Sequence, residues 1–504
     1  MAVTPPPATP PEFPLSYDRL VLFLLVGITM LRSVALFLSP LDLGVDEAQY
    51  WLWSQTPDFG YFTKPPLIAW IIGAAHWLFG HHSWAVRLPA CWIHFATALL
   101  LWRAASWIYG PSAGRLAAIL WITLPATGLG SFLISTDTPL LCLWSAGLLA
   151  LCGMASGRLR ATPGMALAGF AFGFAMLAKF AAVYALIGLI FIALSDHLET
   201  YGRFGKPGEA ATRRLFTWRH MAIAFIAFVI AASPTIIWNF AHDFSTVRHL
   251  GDNANISKHS YDLTSVWQFL GGQFGVAGPL ALAVMLMAAS RQSHETRWLL
   301  WISLPVLTLM IFQSYVSEAN ANWAMAAYPG LTLMAAGWLA GYLASASRPK
   351  RALVIATVGI NTAISVAVLL ITVSGSLGPL TPPSDPLRRL RGWQQLADDV
   401  RPLIAAHQAT AIIADRRATA ALLSWHFYNQ PIQILVHDAD AIPSNHFEAN
   451  HSWQPQSGRR LIALSGAPNA PQINGITWLS PATKSVVDIS QTGQRSLYIY
   501  RGVE

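Results

Sequence analysis

Residues 66–80, PLIAWIIGAAHWLFG, decide how this chain is threaded. Fifteen residues of α-helix cover about 22 Å, short of the roughly 30 Å hydrocarbon core of a bilayer. The run also carries two tryptophans, Trp70 and Trp77, and is interrupted by Gly73. It reads as a helix lying in the membrane interface. Around it stand about eleven apolar runs long enough to cross as helices, near 19–39, 84–108, 113–134, 137–155, 163–178, 180–196, 220–240, 264–290, 298–316, 322–345 and 352–374. With 66–80 flat and a cytoplasmic start, the basic loops at Arg158 and Arg160, at Arg203 to Arg219, at Arg291 and Arg297, and at Arg348 to Arg351 all fall inside. Make 66–80 a crossing and every later loop flips outward.

Composition agrees with a chain that lives in lipid. Charged residues make up 11% and apolar residues 54%, where a soluble domain carries about 25% charge. The net charge of +8 is mostly accounted for by the inner loops and the basic part of the tail, so it reports topology, and nucleic acid is not an expected partner. Cys91, Cys142 and Cys152 all fall in apolar runs without metal or disulfide spacing and read as small core residues. The proline-rich opening, residues 1–17, reads as a disordered cytoplasmic tail. The first apolar run contains Arg32 and lacks a cleavage signature, so it reads as a retained anchor.

Four regions follow: the tail 1–17, a transmembrane domain 18–375, a Gly/Pro/Ser linker 376–387, and a small α/β domain 388–504. The last alternates β-like runs (TAIIAD, IQILVHD, RRLIALSG, RSLYIYR) with a helix-like ATAALLSWHF. After an odd number of crossings it lies outside. The fold class is therefore an α-helical polytopic membrane protein with interfacial helices and a small outer α/β domain.

Immediately upstream of 66–80 is GVDEAQYWLWSQTPDFGYFTKPP, residues 44–66. Asp46 and Glu47 follow the first span, Tyr50, Trp51 and Trp53 sit at interface depth, and Lys64 returns a cation stiffened by Pro65 and Pro66. A rigid loop with an acid at one end and a cation at the other can bind a phosphate and deprotonate a hydroxyl at headgroup level. The same residues also fit a solvated loop whose aromatics anchor the membrane boundary. Three more polar positions fall on the same outer face: Asp137 in STDTPL, Lys179 in AKF, and Glu318 with Asn320 and Asn322 in EANANW. Taken singly, Asp137 fits a helix cap, Lys179 a snorkelling lysine and Glu318 a solvated acid. Their convergence on one face favours a site.

The strings DEAQYWLWSQ, GYFTKPPLIAW, STDTPLL, LAKFAAVY, SPTIIWNFAHDF, FLGGQFG and EANANWAMAAYP, in order through residues 18–345, resemble the bacterial branch of the GT-C glycosyltransferases, similar to protein O-mannosyltransferases and to lipid A aminoarabinose transferases. The resemblance implies inverting transfer of a sugar from a polyprenyl monophosphate to a lipid, glycan or protein acceptor, on the periplasmic face of a bacterial inner membrane. It implies Asp46 as the acid of the first outer loop, Asp137 as the second carboxylate, and Lys64 as the phosphate lysine. Thr63 departs from the lipid A branch, which has a glutamate there.

With that chemistry, Asp46 is assigned as base, Lys64 as leaving-group stabiliser, Arg248 as a second phosphate contact and Asp137 as the group orienting the acceptor. Glu47, Tyr61, Lys179 and Glu318 complete the expected substrate contacts. A monophosphate leaving group does not demand a divalent ion, so no cofactor is expected, although the residues do not exclude a metal. His81 and His82 read as interface residues. The tail domain is expected to position the acceptor without supplying chemistry, IIADRR with Asp415 being its one suggestive run. A lipid-linked sugar flippase or secondary transporter is the competing class; it would place charges at mid-membrane on broken helices.

Overall fold

The computed structural model describes residues 16–201, 217–253, 261–378, 385–438, 443–489 and 493–504. The proline-rich start, the basic run 202–216 and positions 379–384 of the linker lie outside the described residues.

Among the described residues, six helices are each long and apolar enough to cross a bilayer: Ser16–Leu38, Ser83–Tyr109, Asp137–Ala155, Trp218–Ala241, Trp298–Val316 and Arg348–Ser374. Two more expected spans are broken. Pro111–Thr123 and Pro125–Phe132 meet at 55°, and Leu263–Ala277 and Pro279–Ala289 at 100°. Each break precedes a proline, which has no N–H to give the preceding turn. Counting each bent pair as one span gives up to eight crossings, against the eleven expected. The difference lies in three segments that form shorter helices. Ala161–Met176 and Tyr328–Leu343 have 16 residues each, about 24 Å. The third, Tyr184–Tyr201, follows a single 3-10 turn at Phe180–Val183. The run after Pro66 is a 13-residue helix, Leu67–Phe79, also too short to cross.

The tail domain holds five strands: β1 Ala411–Ala414, β2 Gln433–Val436, β3 Arg460–Ser465, β4 Thr477–Asp488 and β5 Gln494–Val503. Their order is β2-β1-β3-β5-β4. β1 runs parallel to β2 and β3, while β3, β5 and β4 are antiparallel. β1, AIIA, is buried along its whole length, as expected for a central strand covered on both faces. Two of the elements that were not anticipated carry prolines. β4 contains Pro481 at a register break between Leu479 and Thr483, and the helix Trp393–His407 carries Pro402 in its interior. Both prolines hide the period that would reveal the element.

The tail domain does not hang from a tether. Ile412, Ala414, Leu422 and Ile462 share one apolar core with Leu43 and with Ala48, Trp51, Trp53, Ile68 and Ile72 from the helices Val45–Ser54 and Leu67–Phe79. Trp51 meets Trp425 edge-on at 4.9 Å and Tyr428 at 5.2 Å. The Asp42 carboxylate accepts from the backbone N–H groups of Trp393 and Gln394 at 2.8 and 3.4 Å, at the start of the helix Trp393–His407. Helix N-terminal N–H groups favour an anion there. His81 stacks on Trp425 at 3.7 Å, in the domain junction, while His82 turns to Trp84.

Candidate active site

Asp46 and Glu47 are neighbours in sequence, yet helical geometry turns their side chains about 100° apart. Glu47 points inward and is 3% exposed. Its oxygens accept from Arg87 Nε at 3.0 Å and Nη2 at 2.8 Å, from Ile134 N at 3.1 Å and from Gly44 N at 2.8 Å. The last bond reaches back from the first turn of its own helix to the N-cap position. Arg87 in turn donates to the carbonyls of Leu41 and Asp42 and covers the Phe132 ring. Glu47, expected as a substrate contact, therefore has its acceptor capacity used by the protein itself.

Asp46 faces the other way, with its side chain 63% exposed. Its Oδ1 accepts from Arg417 Nη2 at 3.0 Å, and Arg417 Nη1 donates to Gln49 Oε1 at 2.8 Å. Asp46 and Gln49 stand three residues apart, so both acceptors lie on one helix face.

Asp137 heads the helix Asp137–Ala155 but does not cap it. Its Oδ1 accepts from Lys179 Nζ at 2.7 Å and its Oδ2 from Asn322 Nδ2 at 2.9 Å. Lys179 can reach it because the chain leaves helical geometry there, Lys179 itself being extended just before the 3-10 turn. Three segments far apart in sequence are thus tied at one carboxylate.

Lys64 completes the group. Among the described residues its ammonium forms no ion pair, although Asp46, Asp137, Lys179 and Arg417 all lie close enough to act on its charge. Burial, then the neighbouring Lys179 cation, pulls its pKa below the ordinary 10.5. A half-buried ammonium without a counter-ion is a ready anion site.

The loop carrying Lys64 is rigid for identifiable reasons. Tyr61 stacks flat on Trp53 at 4.8 Å, its hydroxyl donates to Trp53 O at 2.9 Å and accepts from Asp58 N, and its N–H donates to Lys64 O at 3.0 Å. Asp58 Oδ2 accepts from Trp238 Nε1 at 2.7 Å. That indole lies so close over Gly60 that a Cβ there would meet ring carbons at 2.4 Å. Tyr61, expected to line the site, spends its hydroxyl holding the loop. Thr246 Oγ1 donates to Tyr61 O at 2.8 Å and anchors the helix Ser245–Asn253, on which Arg248 stands exposed. Glu318 is exposed beside the Asn322 turn and makes none of these bonds.

The structure thus brings together Asp46, Lys64, Asp137, Lys179 and Asn322, and adds Arg417 and Gln49, which sequence reasoning missed. The available signal was the position of Arg417 just past the end of a parallel strand, where α/β sheets place ligand-binding groups.

The model of the dolichyl-phosphate-mannose-protein mannosyltransferase family matches residues 63–238. The lipid A galacturonosyltransferase RgtD of Rhizobium johnstonii is 32% identical over 458 residues, 88% of this chain and 91% of that protein. The undecaprenyl phosphate-alpha-4-amino-4-deoxy-L-arabinose arabinosyl transferase of Erwinia tasmaniensis matches locally, 30% identical over 134 residues, 26% of this chain and 24% of that one. The crystal structure of ArnT from Cupriavidus metallidurans bound to undecaprenyl phosphate shares the fold, with a TM-score of 0.65 at 14% identity over 97% of this chain and 98% of that chain.

Proposed function

This chain belongs to the GT-C superfamily of membrane glycosyltransferases, and from that premise we propose that the cluster around Asp46 and Lys64 is its transfer site, facing the periplasm and serving a lipid A-like acceptor. The protein is a membrane-embedded glycosyltransferase that draws its sugar from a polyprenyl-phosphate donor. Support for the acceptor class is the relationship to RgtD along nearly the whole of both chains.

In the proposed reaction an acceptor hydroxyl oxygen attacks the anomeric carbon from the face opposite the phosphate. The new C–O bond forms as the bond to the phosphate oxygen breaks, with inversion. The hydroxyl proton passes to Asp46, and the polyprenyl phosphate leaves as a dianion with Lys64 beside it. Asp137, held by Lys179 and Asn322, orients the acceptor, and Arg248 meets the phosphate from the Ser245–Asn253 helix. Glu318 lines the approach.

The observation that carries this reading is Lys64, a half-buried cation with no ion pair among the described residues, next to an exposed carboxylate. A flippase would need its charges along a path through the membrane; here they gather at helix ends and in one loop. The test is release of polyprenyl phosphate from a glycosyl donor by the purified protein in the presence of lipid A. Transfer that persists undiminished in Lys64→Ala and Asp46→Asn would remove the site from this loop.

A further inference from the structure

We propose that the tail domain is a working part of the donor site: Arg417, which pairs with Asp46 in this structure, is a ligand of the donor phosphate. The inference builds on the reading of Asp46 and Lys64 given above and adds a residue from outside the membrane domain.

Arg417 opens the helix Arg417–His426, directly after β1, and that helix packs on Val45–Ser54 through the shared core. The two limbs of its guanidinium are held differently. One donates to Gln49 Oε1 at 2.8 Å, and Gln49 is 1% exposed, so this acceptor is screened from water. The other donates to Asp46, whose side chain is 63% exposed. Exposed ion pairs of this kind add little to stability and exchange readily. A guanidinium anchored on one side and loosely paired on the other is poised to change partners.

Charge bookkeeping indicates the new partner. Lys64, Lys179 and Arg417 supply three cations, and Asp46 and Asp137 two anions, which leaves the cluster one positive charge in excess. Lys179 is committed to Asp137 at 2.7 Å. Within this cluster Lys64 and Arg417 are therefore the two cations available to a phosphate, besides Arg248 on its separate helix, and they lie within electrostatic reach of each other. A planar guanidinium matches phosphate oxygens bidentately, which an ammonium does not. When Arg417 turns to the phosphate it leaves Asp46 without its counter-ion, so the base becomes available as the donor binds.

The test is binding of two probes to the full-length protein in detergent: undecaprenyl phosphate, and undecaprenol, which lacks the phosphate. Arg417→Ala should weaken binding of undecaprenyl phosphate about 10- to 100-fold and leave undecaprenol unchanged. Arg417→Lys should recover part of the loss. Asp46→Asn, which removes the competing negative charge and weakens the hold on Arg417, should bind undecaprenyl phosphate more tightly than the unaltered protein, and that gain should vanish when combined with Arg417→Ala. If Arg417→Ala fails to fold, the Asp46→Asn and Arg417→Lys measurements carry the test. Unaltered binding by Arg417→Ala, or by Arg417→Lys with no gain in Asp46→Asn, while Lys64→Ala is weakened, overturns the role of Arg417 alone. Unaltered binding by Lys64→Ala as well overturns the site. Equal loss for both probes makes Arg417 a docking residue only and also overturns the proposal.

Discussion

Two charged regions flank the same short helix, and they are built on opposite terms. Behind Val45–Ser54, Glu47 and Arg87 form a pair 4% and 1% exposed in which every oxygen and most N–H groups are spoken for. In front of it, Asp46, Lys64, Asp137, Lys179 and Arg417 form a wider group with an excess cation and an exposed acid. The closed pair fixes the entry of the helix against Ile134 and the Ser83–Tyr109 helix. The open group leaves Lys64 without an ion pair among the described residues and Asp46 largely exposed. Saturation separates a structural ion pair from a site better than residue type does.

The largest expected effect falls on the open side. Asp46→Asn keeps shape but removes basicity, so turnover should fall about 10²- to 10⁴-fold in a single-turnover transfer assay, with donor binding not weakened. A drop in donor affinity of the same size would move Asp46 from proton transfer to binding. On the closed side the loss should appear as stability. Glu47→Ala strands a buried guanidinium and should cost about 3–5 kcal/mol, read as a lower melting temperature and poor recovery from the membrane. A stable Glu47→Ala protein with normal melting and no activity would erase the distinction drawn here.

Two smaller effects sharpen it. Gly60→Ala pushes a methyl into the Trp238 indole, and should cost about 1–3 kcal/mol while also weakening donor binding, because the same indole holds Asp58 and the loop that aims Lys64. The smallest concerns the junction. His81 and His426 both have pKa values pushed down to about 4, chiefly by burial, from an ordinary 6.5. The folded protein then binds fewer protons than the unfolded one, so the stability that keeps these rings neutral is complete above about pH 6.5 and declines as pH falls toward 4. Limited proteolysis of the tail domain at graded pH should show it loosening in that window; equal resistance at pH 7 and pH 4.5 would speak against it.

Much of the site was legible because its residue types are costly where they stand. Asp46, Lys64, Asp137 and Lys179 are ionisable groups beside apolar runs, and few chains keep such groups without use. Glu47 and Tyr61, expected among the substrate contacts, have protein partners that the sequence does not show. A local reading sees that Glu47 adjoins Asp46, but not that Arg87, forty residues on, arrives behind it. Tyr61 looks available until the stacking on Trp53 and the carbonyl it serves are seen. Arg417 was invisible because its partner lies 371 positions earlier, and nothing in IIADRR says which surface the helix will meet.

The sequence by itself determined that the chain is embedded in a membrane, that it carries an α/β tail domain, and that an acid and a lysine bracket one short outer loop. Those are matters of composition, period and spacing, which local chemistry dictates. The tertiary structure alone decided which carboxylate is spent and which is kept, that two apolar runs break at prolines, and that the tail domain reaches into the cluster. Each of these depends on what arrives from a distant part of the chain to satisfy, or leave unsatisfied, a buried polar group, and the energy of such a group is set by its neighbours in space.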